Sequence, residues 1–490
     1  MSPSLELPPS FVGPWKELLL SRQREQLGDL PNHYARDPDS LITTSSPQTL
    51  YVGTGYSIFT RGILPAILDA KSSVHFVTCY WAASPSLSAV NDTLLQLAAS
   101  RRSDGGAARS TLQVTVGFSS WGLFQKLFHT SSRDGQLYPQ SQWGKLGLPD
   151  QSTLTSAGIQ LTVKSLFFTP FSVMHPKYVI IDGNRVFVPS CNVSWERWFE
   201  GCVELQGDVV QTLIAFHARV WGVGADQSST MGTTEGRERG SSVSEEDSRT
   251  ADTPYGAATL LSREDETSAI KSLKIAGNDR VPTILLPSPH HRNPRFSFFP
   301  FLSHSNPPMT PLNAALLTLF NNARRQIMIL TPNVTSWPVL KALLDALARG
   351  VDVQIRTNRR MMLIEQLVTA GTTTSMCLKK FVKQYQQLRD NSQSYDIEAP
   401  PVRLGKLEIL YYKADSRRRA REDEPVVSHF KMTMVDNEYL VLGSGNMDRA
   451  SWWTSQELGF LFYVPGQDWH KLWDGVLENR MEVYYRPRDI

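Results

Sequence analysis

The sequence predicts an α/β fold in two similar halves, and three observations carry that expectation. Apolar, β-branched segments alternate with helix-spaced ones, as in a layered fold with a mixed or parallel sheet. A polar stretch near the middle divides two segments of matching grammar. Each segment then carries one copy of the same His, Lys, Asp, Ser and Asn constellation.

In chain order, residues 11–27 set Trp15, Leu18, Leu19 and Leu20 against Lys16, Arg22 and Arg24, the pattern of an amphipathic helix. Such a helix either packs on the body of the protein or lies on a membrane surface. The first ordered unit is expected from about Leu50, with helical spacing at 58–68, a strand at 73–81, a helix at 87–99 and a strand at 112–118. Residues 223–279 are rich in Ser, Thr, Gly, Glu, Asp and Arg, which reads as a linker or a disordered insertion.

The grammar then repeats. Residues 310–323 read as a helix, 326–331 as a strand, 337–348 as a helix closed by Gly350, and 351–356 as a strand. Helices at 361–369 and 376–388 and a strand at 406–412 follow. The expected division is an N-terminal extension (1–49), a first domain (50–222), a low-complexity linker (223–284) and a second domain (285–490).

Composition limits the function classes. The chain has 490 residues, 41% hydrophobic and 20% charged, enough for two or three globular domains. A net charge of +3 is too small to announce a nucleic-acid binder. Cys79, Cys191, Cys202 and Cys377 lack zinc or disulfide spacing and fit a reducing, intracellular setting. No run of about 18 apolar residues and no signal core occur, so a soluble or peripheral protein is expected.

The chemistry-bearing residues are His175, Lys177, Asp182, Ser190 and Asn192 in the first half and His429, Lys431, Asp436, Ser444 and Asn446 in the second. From each His the others stand at +2, +7, +15 and +17, and a Glu follows at +29 (Glu204) and +28 (Glu457). Residues two apart on a strand share a face, so each His and Lys can address one small volume. A phosphodiester is cleaved without metal or other cofactor if one neutral imidazole attacks phosphorus, a protonated one supplies the leaving oxygen, and cations hold the remaining oxygens. One copy offers one imidazole; two copies facing each other supply both.

These motifs resemble the HKD signature of the phospholipase D superfamily, HxK, four residues, D, six residues, GSxN. The second copy matches throughout, and the first departs only at Pro189, where Gly is usual. The tail GSGNMDRASWWTSQELGF is similar to cardiolipin synthases and related phosphatidyltransferases. The resemblance implies two phospholipase D-like α/β/α repeats packed as a pseudo-symmetric pair with one shared active site. It implies a phosphohistidine on one of His175 and His429, with His175 favoured, and the other His as acid and base. Lys177, Lys431, Ser190, Ser444, Asn192 and Asn446 would bind phosphoryl oxygens, and Glu204 and Glu457 would hold the second imidazole nitrogens. Asp182 and Asp436 would order the strand and turn.

The implied substrate is a glycerophospholipid, met at a membrane surface and hydrolysed or transferred. The alternatives are a nuclease or nucleic-acid end-processing enzyme of the same superfamily, and an inactive lipid-binding scaffold. The basic run Arg417, Arg418, Arg419 and Arg421 is either an anion-attracting loop or a solvated one neutralised by Glu422, Asp423 and Glu424. Trp195, Trp198, Phe199, Trp452 and Trp453 either line a substrate groove or pack in the core. His290, His291 and His304 lack a carboxylate partner at ligand spacing, so no metal site is expected.

Overall fold

The computed structural model describes residues 6–103, 110–122, 129, 132–168, 172–222, 271–274, 280–289, 306–393, 403–417, 424–466 and 476–487. In the first half the strands are β1 (Ile42–Gly53), β2 (Ser73–Tyr80), β3 (Leu112–Ser120), β4 (Ile159–Ser165), β5 (Tyr178–Ile181), β6 (Arg185–Pro189) and β7 (Trp198–Gln206). The second half contributes β8 (Val281–Ser288), β9 (Gln326–Leu330), β10 (Asp352–Thr357), β11 (Leu407–Tyr412), β12 (Met432–Val435), β13 (Tyr439–Gly443) and β14 (Glu457–Tyr463). The helices used below are α1 (Pro9–Ser21), α2 (Pro85–Ser103), α3 (Asp208–Trp221), α4 (Pro311–Asn322), α5 (Trp337–Ala348), α6 (Leu363–Ala370) and α7 (Thr374–Gln393).

One strand order occurs in both halves. It is β4-β3-β2-β5-β6-β7-β1 in the first, with β4, β3 and β2 parallel and the later pairs antiparallel. In the second it is β11-β10-β9-β12-β13-β14-β8, again three parallel strands followed by antiparallel pairs. The parallel strands are joined through helices, as their geometry requires, and the short antiparallel β5–β6 and β12–β13 pairs are hairpins.

The halves are joined by pairing between Ile42–Ser45 of β1 and Val281–Ile284 of β8. This corrects the expected boundaries. The strand that begins the first half starts at Ile42, inside the expected extension, and β8 together with the Lys271–Lys274 strand falls inside or across the edge of the expected linker. The segment ITTSSPQT lacks a strand's hydrophobic alternation, yet it is paired along its length, Ile42–Ser45 with β8 and the residues from Ser46 on with β7, and the buried Ser45 and Thr283 hydroxyls share a 2.6 Å hydrogen bond across the join. The rest of the expected linker, 223–270 and 275–279, lies outside the described residues.

One apolar core runs through both halves, from α1 and α3 to α4, α5 and the β9–β10–β11 strands. A second packs under the helices of residues 55–103. Phe11, Trp15 and Leu19 of α1 are buried, and the Trp15 indole N–H donates to the Pro311 carbonyl at the start of α4. The apolar side of this helix is therefore spent on the body of the protein, which removes the membrane-surface reading for it. Among the described residues, no helix is long and apolar enough to cross a membrane.

Candidate active site

The two motifs meet because each half lends a strand to the other. Val427–Ser428, just before His429, runs parallel to Trp198–Phe199 at the start of β7. Met174, just before His175, forms a parallel bridge to Gln456, just before β14. The backbone N–H of His429 donates to the Phe199 carbonyl at 2.8 Å, and that of His175 donates to the Gln456 carbonyl at 3.0 Å. Each His thus stands beside the first carboxylate of the opposite half's last motif strand, at the carboxyl end of a parallel strand, where open α/β sheets place ligands.

The side chains follow the backbone. Nδ1 of His175 lies 2.8 Å from Oε2 of Glu457, and Nδ1 of His429 lies 2.8 Å from Oε1 of Glu200. Each carboxylate is fixed in turn by the serine of its own half. Ser444 donates to Glu457 at 2.5 Å and Ser190 donates to Glu200, while each serine oxygen accepts a backbone N–H at 3.0 Å, from Leu458 and from Gly201. Ser451 adds a second hydroxyl to Glu457 at 2.7 Å. A carboxylate on Nδ1 leaves the Nε2 edge of each ring for substrate chemistry.

This geometry corrects one expectation. Glu204 is not on an imidazole: its carboxylate accepts from Arg185 Nε at 2.6 Å and from the Tyr51 hydroxyl at 3.4 Å. Equal spacing from the His suggested Glu204, but the loop between the motif Asn and the Glu is shorter in the first half. Glu200 follows Ser190 by 10 residues and Glu457 follows Ser444 by 13, the second loop containing the short helix Arg449–Trp453. Strand phase carried the missed signal, since both glutamates lie where an antiparallel partner of the Ser-bearing strand begins.

The lysines are buried beside the imidazoles. Lys177 Nζ donates to the His175 carbonyl at 2.8 Å. Lys431 Nζ donates to the His429 carbonyl at 2.6 Å and also lies 2.9 Å from His429 Nε2. Burial, with Lys177 nearby, pulls the Lys431 ammonium down to about 7. Burial also lowers His429 to about 3, Glu200 opposing and the two lysines adding to the effect. His175 is lowered as well, by burial first, against the pull of Glu457. The charge of Lys431 reaches His175 and that of Lys177 reaches His429, which places all four groups around one volume. Although burial alone would raise it, Glu200 is held below the usual carboxylate range by His429 and Lys431.

The remaining motif residues serve the frame. Asp182 and Asp436 both sit at positive φ and accept backbone N–H groups, from Lys71, Ser72 and Ser73 and from Arg324, Arg325 and Gln326. Asn192 Oδ1 accepts from Tyr80 N–H at 3.3 Å, and Asn446 Nδ2 donates to Asp448 at 3.0 Å. Asn446 Nδ2 carries a second N–H that this bond leaves for a phosphoryl oxygen. Pro189 lies opposite Cys202 and leaves the Ser190 N–H bond to Gly201 intact.

The aromatic residues divide. Trp198 tilts over His429 with ring centroids 4.7 Å apart, and Trp195 is 58% exposed. Phe199, Trp452 and Trp453 are core residues. Among the described residues, no three His, Cys, Asp or Glu gather as a metal site. His290, His291 and His304, and Arg418, Arg419 and Arg421 of the basic run, lie outside the described residues.

Residues 316–474 match the family described as cardiolipin synthase, PLD-like domain. The second half is a phospholipase D-like domain. The phosphatidylserine synthase of Haemophilus influenzae Rd KW20 shares the fold across the chain: 92% of this protein and 91% of that one align at 13% identity, with a TM-score of 0.52. The phospholipase D family member Nuc from Salmonella typhimurium aligns over 41% of this chain and 97% of its own, at 15% identity and a TM-score of 0.26. No curated protein sequence matches the chain.

Proposed function

We propose that this phospholipase D-like protein is a phosphodiesterase or phosphatidyltransferase that acts on glycerophospholipids through a phosphohistidine. The observation that carries the reading is the crossed pairing of His175 with Glu457 and of His429 with Glu200. Two imidazoles oriented by carboxylates, with two buried lysines between them, match what phosphoryl transfer needs and exceed what an inactive scaffold needs.

The more exposed ring attacks. Nε2 of His175 forms a bond to phosphorus as the bond from phosphorus to the leaving oxygen breaks, and His429 Nε2–H gives that oxygen its proton. In the second step the O–H of water or an alcohol loses its proton to His429, its oxygen bonds to phosphorus, and the P–N bond to His175 breaks. Water yields phosphatidic acid, and an alcohol yields a new phospholipid. Burial and the lysines disfavour the protonated form of both rings. An arriving phosphate anion offsets the positive charges and favours protonation, and Lys431 stands one hydrogen bond from His429 Nε2 as the nearest proton. The Lys177 ammonium and the N–H groups left on Lys431 then hold the equatorial oxygens. None of these steps is routed through a metal.

Support from outside the site comes from the cardiolipin synthase description of the matched family and from the phosphatidylserine synthase that shares the fold. The test is a panel of phosphatidylcholine and phosphatidylglycerol vesicles against single- and double-stranded oligonucleotides, with chelator, with and without glycerol. Lipid cleavage, diverted to a glycerol adduct when glycerol is present, is the expected result. Activity restricted to oligonucleotides overturns the lipid assignment in favour of a nuclease, and turnover that requires an added metal overturns the mechanism.

A further inference from the structure

Helix α6 is built inside out. A surface helix ordinarily buries its apolar stripe and shows water a polar face. In α6, with the sequence LIEQLVTA, the buried residue is Gln366. Leu363, Ile364, Leu367 and Val368 are exposed, Ile364 by 80%. At 100° per residue these four cover one contiguous sector of the helix. Met376, in the first turn of α7, is likewise 61% exposed.

The inversion is anchored by hydrogen bonds. Gln366 Nε2 donates to Asn333 Oδ1 at 2.9 Å and to the Met361 carbonyl at 2.5 Å. Its Oε1 accepts the Thr374 N–H at 2.6 Å and the Thr374 hydroxyl at 3.0 Å. A satisfied buried amide fixes the helix with its aliphatic side outward.

The flanks of the ridge are cationic. Between residues 359 and 383 the chain has five cations, Arg359, Arg360, Lys379, Lys380 and Lys383, all exposed, and one carboxylate, Glu365. An apolar ridge rimmed by exposed Arg and Lys has the makeup of an interfacial anchor for anionic lipid. A partner protein with an acidic rim offers the same charge, but the substrate class of the neighbouring site favours the lipid.

The ridge and the active site share a frame. Asn358 bonds Ser428 in both directions, donating to its carbonyl at 2.7 Å and accepting its N–H at 2.9 Å, and His429 is the next residue. Thr374 accepts the Val334 N–H at 3.0 Å, and the Thr335 and Ser336 N–H groups donate to the carbonyl of Met447, which follows Asn446. Trp337, the next residue after Ser336, is itself exposed.

From these observations we infer that α6 and the first turn of α7 dock this protein on the surface of an anionic phospholipid bilayer, beside the mouth of the catalytic site. The inference rests on the lipid reading of that site, so its test separates the two. The full chain is sedimented with phosphatidylcholine vesicles with and without phosphatidylglycerol, and turnover is measured in parallel on a short-chain phosphatidylcholine below its micelle concentration. The expected result is co-sedimentation that rises with phosphatidylglycerol. It falls by about tenfold or more in Ile364→Asp/Val368→Asp and by a smaller, salt-sensitive factor in Lys379→Glu/Lys380→Glu. Turnover of the monomeric lipid stays within about twofold of wild type in both variants, which also reports that they are folded.

Vesicle binding that is unchanged in the ridge variant overturns the inference. So does a concentration-dependent dimer that the same variant dissolves in sedimentation velocity with no vesicle binding by wild type, since the ridge would then hold a second copy. Failure of wild type to turn over any monomeric phospholipid, with ridge-dependent vesicle binding retained, overturns the catalytic reading and leaves the docking surface standing.

Discussion

The two halves arrange the same motif residues around different backbones. In the second half Gly443 faces Gly459, and a Cβ at Gly443 would collide with the Leu458 carbonyl and the Gly459 Cα. In the first half the equivalent strand carries Pro189 opposite Cys202 without losing the serine's backbone bond. The second imidazole is the more enclosed: His429 is 3% exposed at its side chain, has Lys431 on Nε2 and lies under Trp198, whereas His175 is 14% exposed and its lysine donates to its carbonyl. A ring already bonded to a proton donor suits acid and base work, and the more open ring suits attack.

The largest effects should come from the groups that break this division of labour. Glu200→Gln is expected to lower kcat by about 10²–10⁴, as losing the carboxylate that sets an imidazole tautomer does elsewhere. Glu204→Gln should leave kcat within a few-fold and weaken only the Arg185 contact, by about 1 kcal/mol or less. Steady-state kinetics on both variants, side by side, checks the crossed pairing, and equal losses would contradict it.

Lys431→Met should abolish turnover while raising thermal stability at neutral pH. A folded-state ammonium lowered to about 7 from its usual 10.5 means that the unfolded chain binds more protons between those values. The penalty is therefore fully present below about pH 7 and is relieved as pH rises toward 10.5. A thermal melt at pH 7 reads the gain, and a Tm lower than wild type would mean that the lysine's hydrogen bonds outweigh its burial.

His429 gives the opposite end of the pH scale. Its folded value of about 3 against 6.5 makes the unfolded chain the better proton binder through that window, so stability falls as pH drops from 6.5 to 3. The depressed Glu200 adds in the same direction, its stabilisation being lost as the carboxylate protonates. Denaturant titrations at pH 7 and pH 4 measure this, and His429→Asn should flatten the dependence.

Smaller still is the backbone contrast. Gly443→Ala should destabilise by about 1–3 kcal/mol, because the added methyl must displace backbone atoms of the neighbouring strand. Pro189→Gly should cost under about 1 kcal/mol. Urea unfolding of the pair reads the difference.

Much of this was legible in the sequence. The alternation of strands and helices and the repeated His-Lys-Asp-Ser-Asn spacing are local patterns, and they survive in the structure as matching strand orders. Two features were not legible, for one reason: both depend on partners distant in the chain. Glu200 is defined by His429, 229 residues away, and spacing along one half pointed to Glu204 instead. The polar start of β1 is a strand because β8 pairs with Ile42–Ser45 and β7 takes over from Ser46, and no propensity in ITTSSPQT announces it. The outward face of α6 is an intermediate case, since a helix was expected at 361–369 but the side it would bury was not.

In the proposed division of labour His175 is the attacking group and His429 the acid. That division is tested most directly by acid-quenching the enzyme during turnover of a phospholipid that carries labelled phosphorus, then mapping the label by peptide mass spectrometry. Label is expected on the peptide containing His175, retained in wild type and absent in His175→Ala. Label on the peptide containing His429, or full turnover with no labelled histidine at any time point, would contradict it.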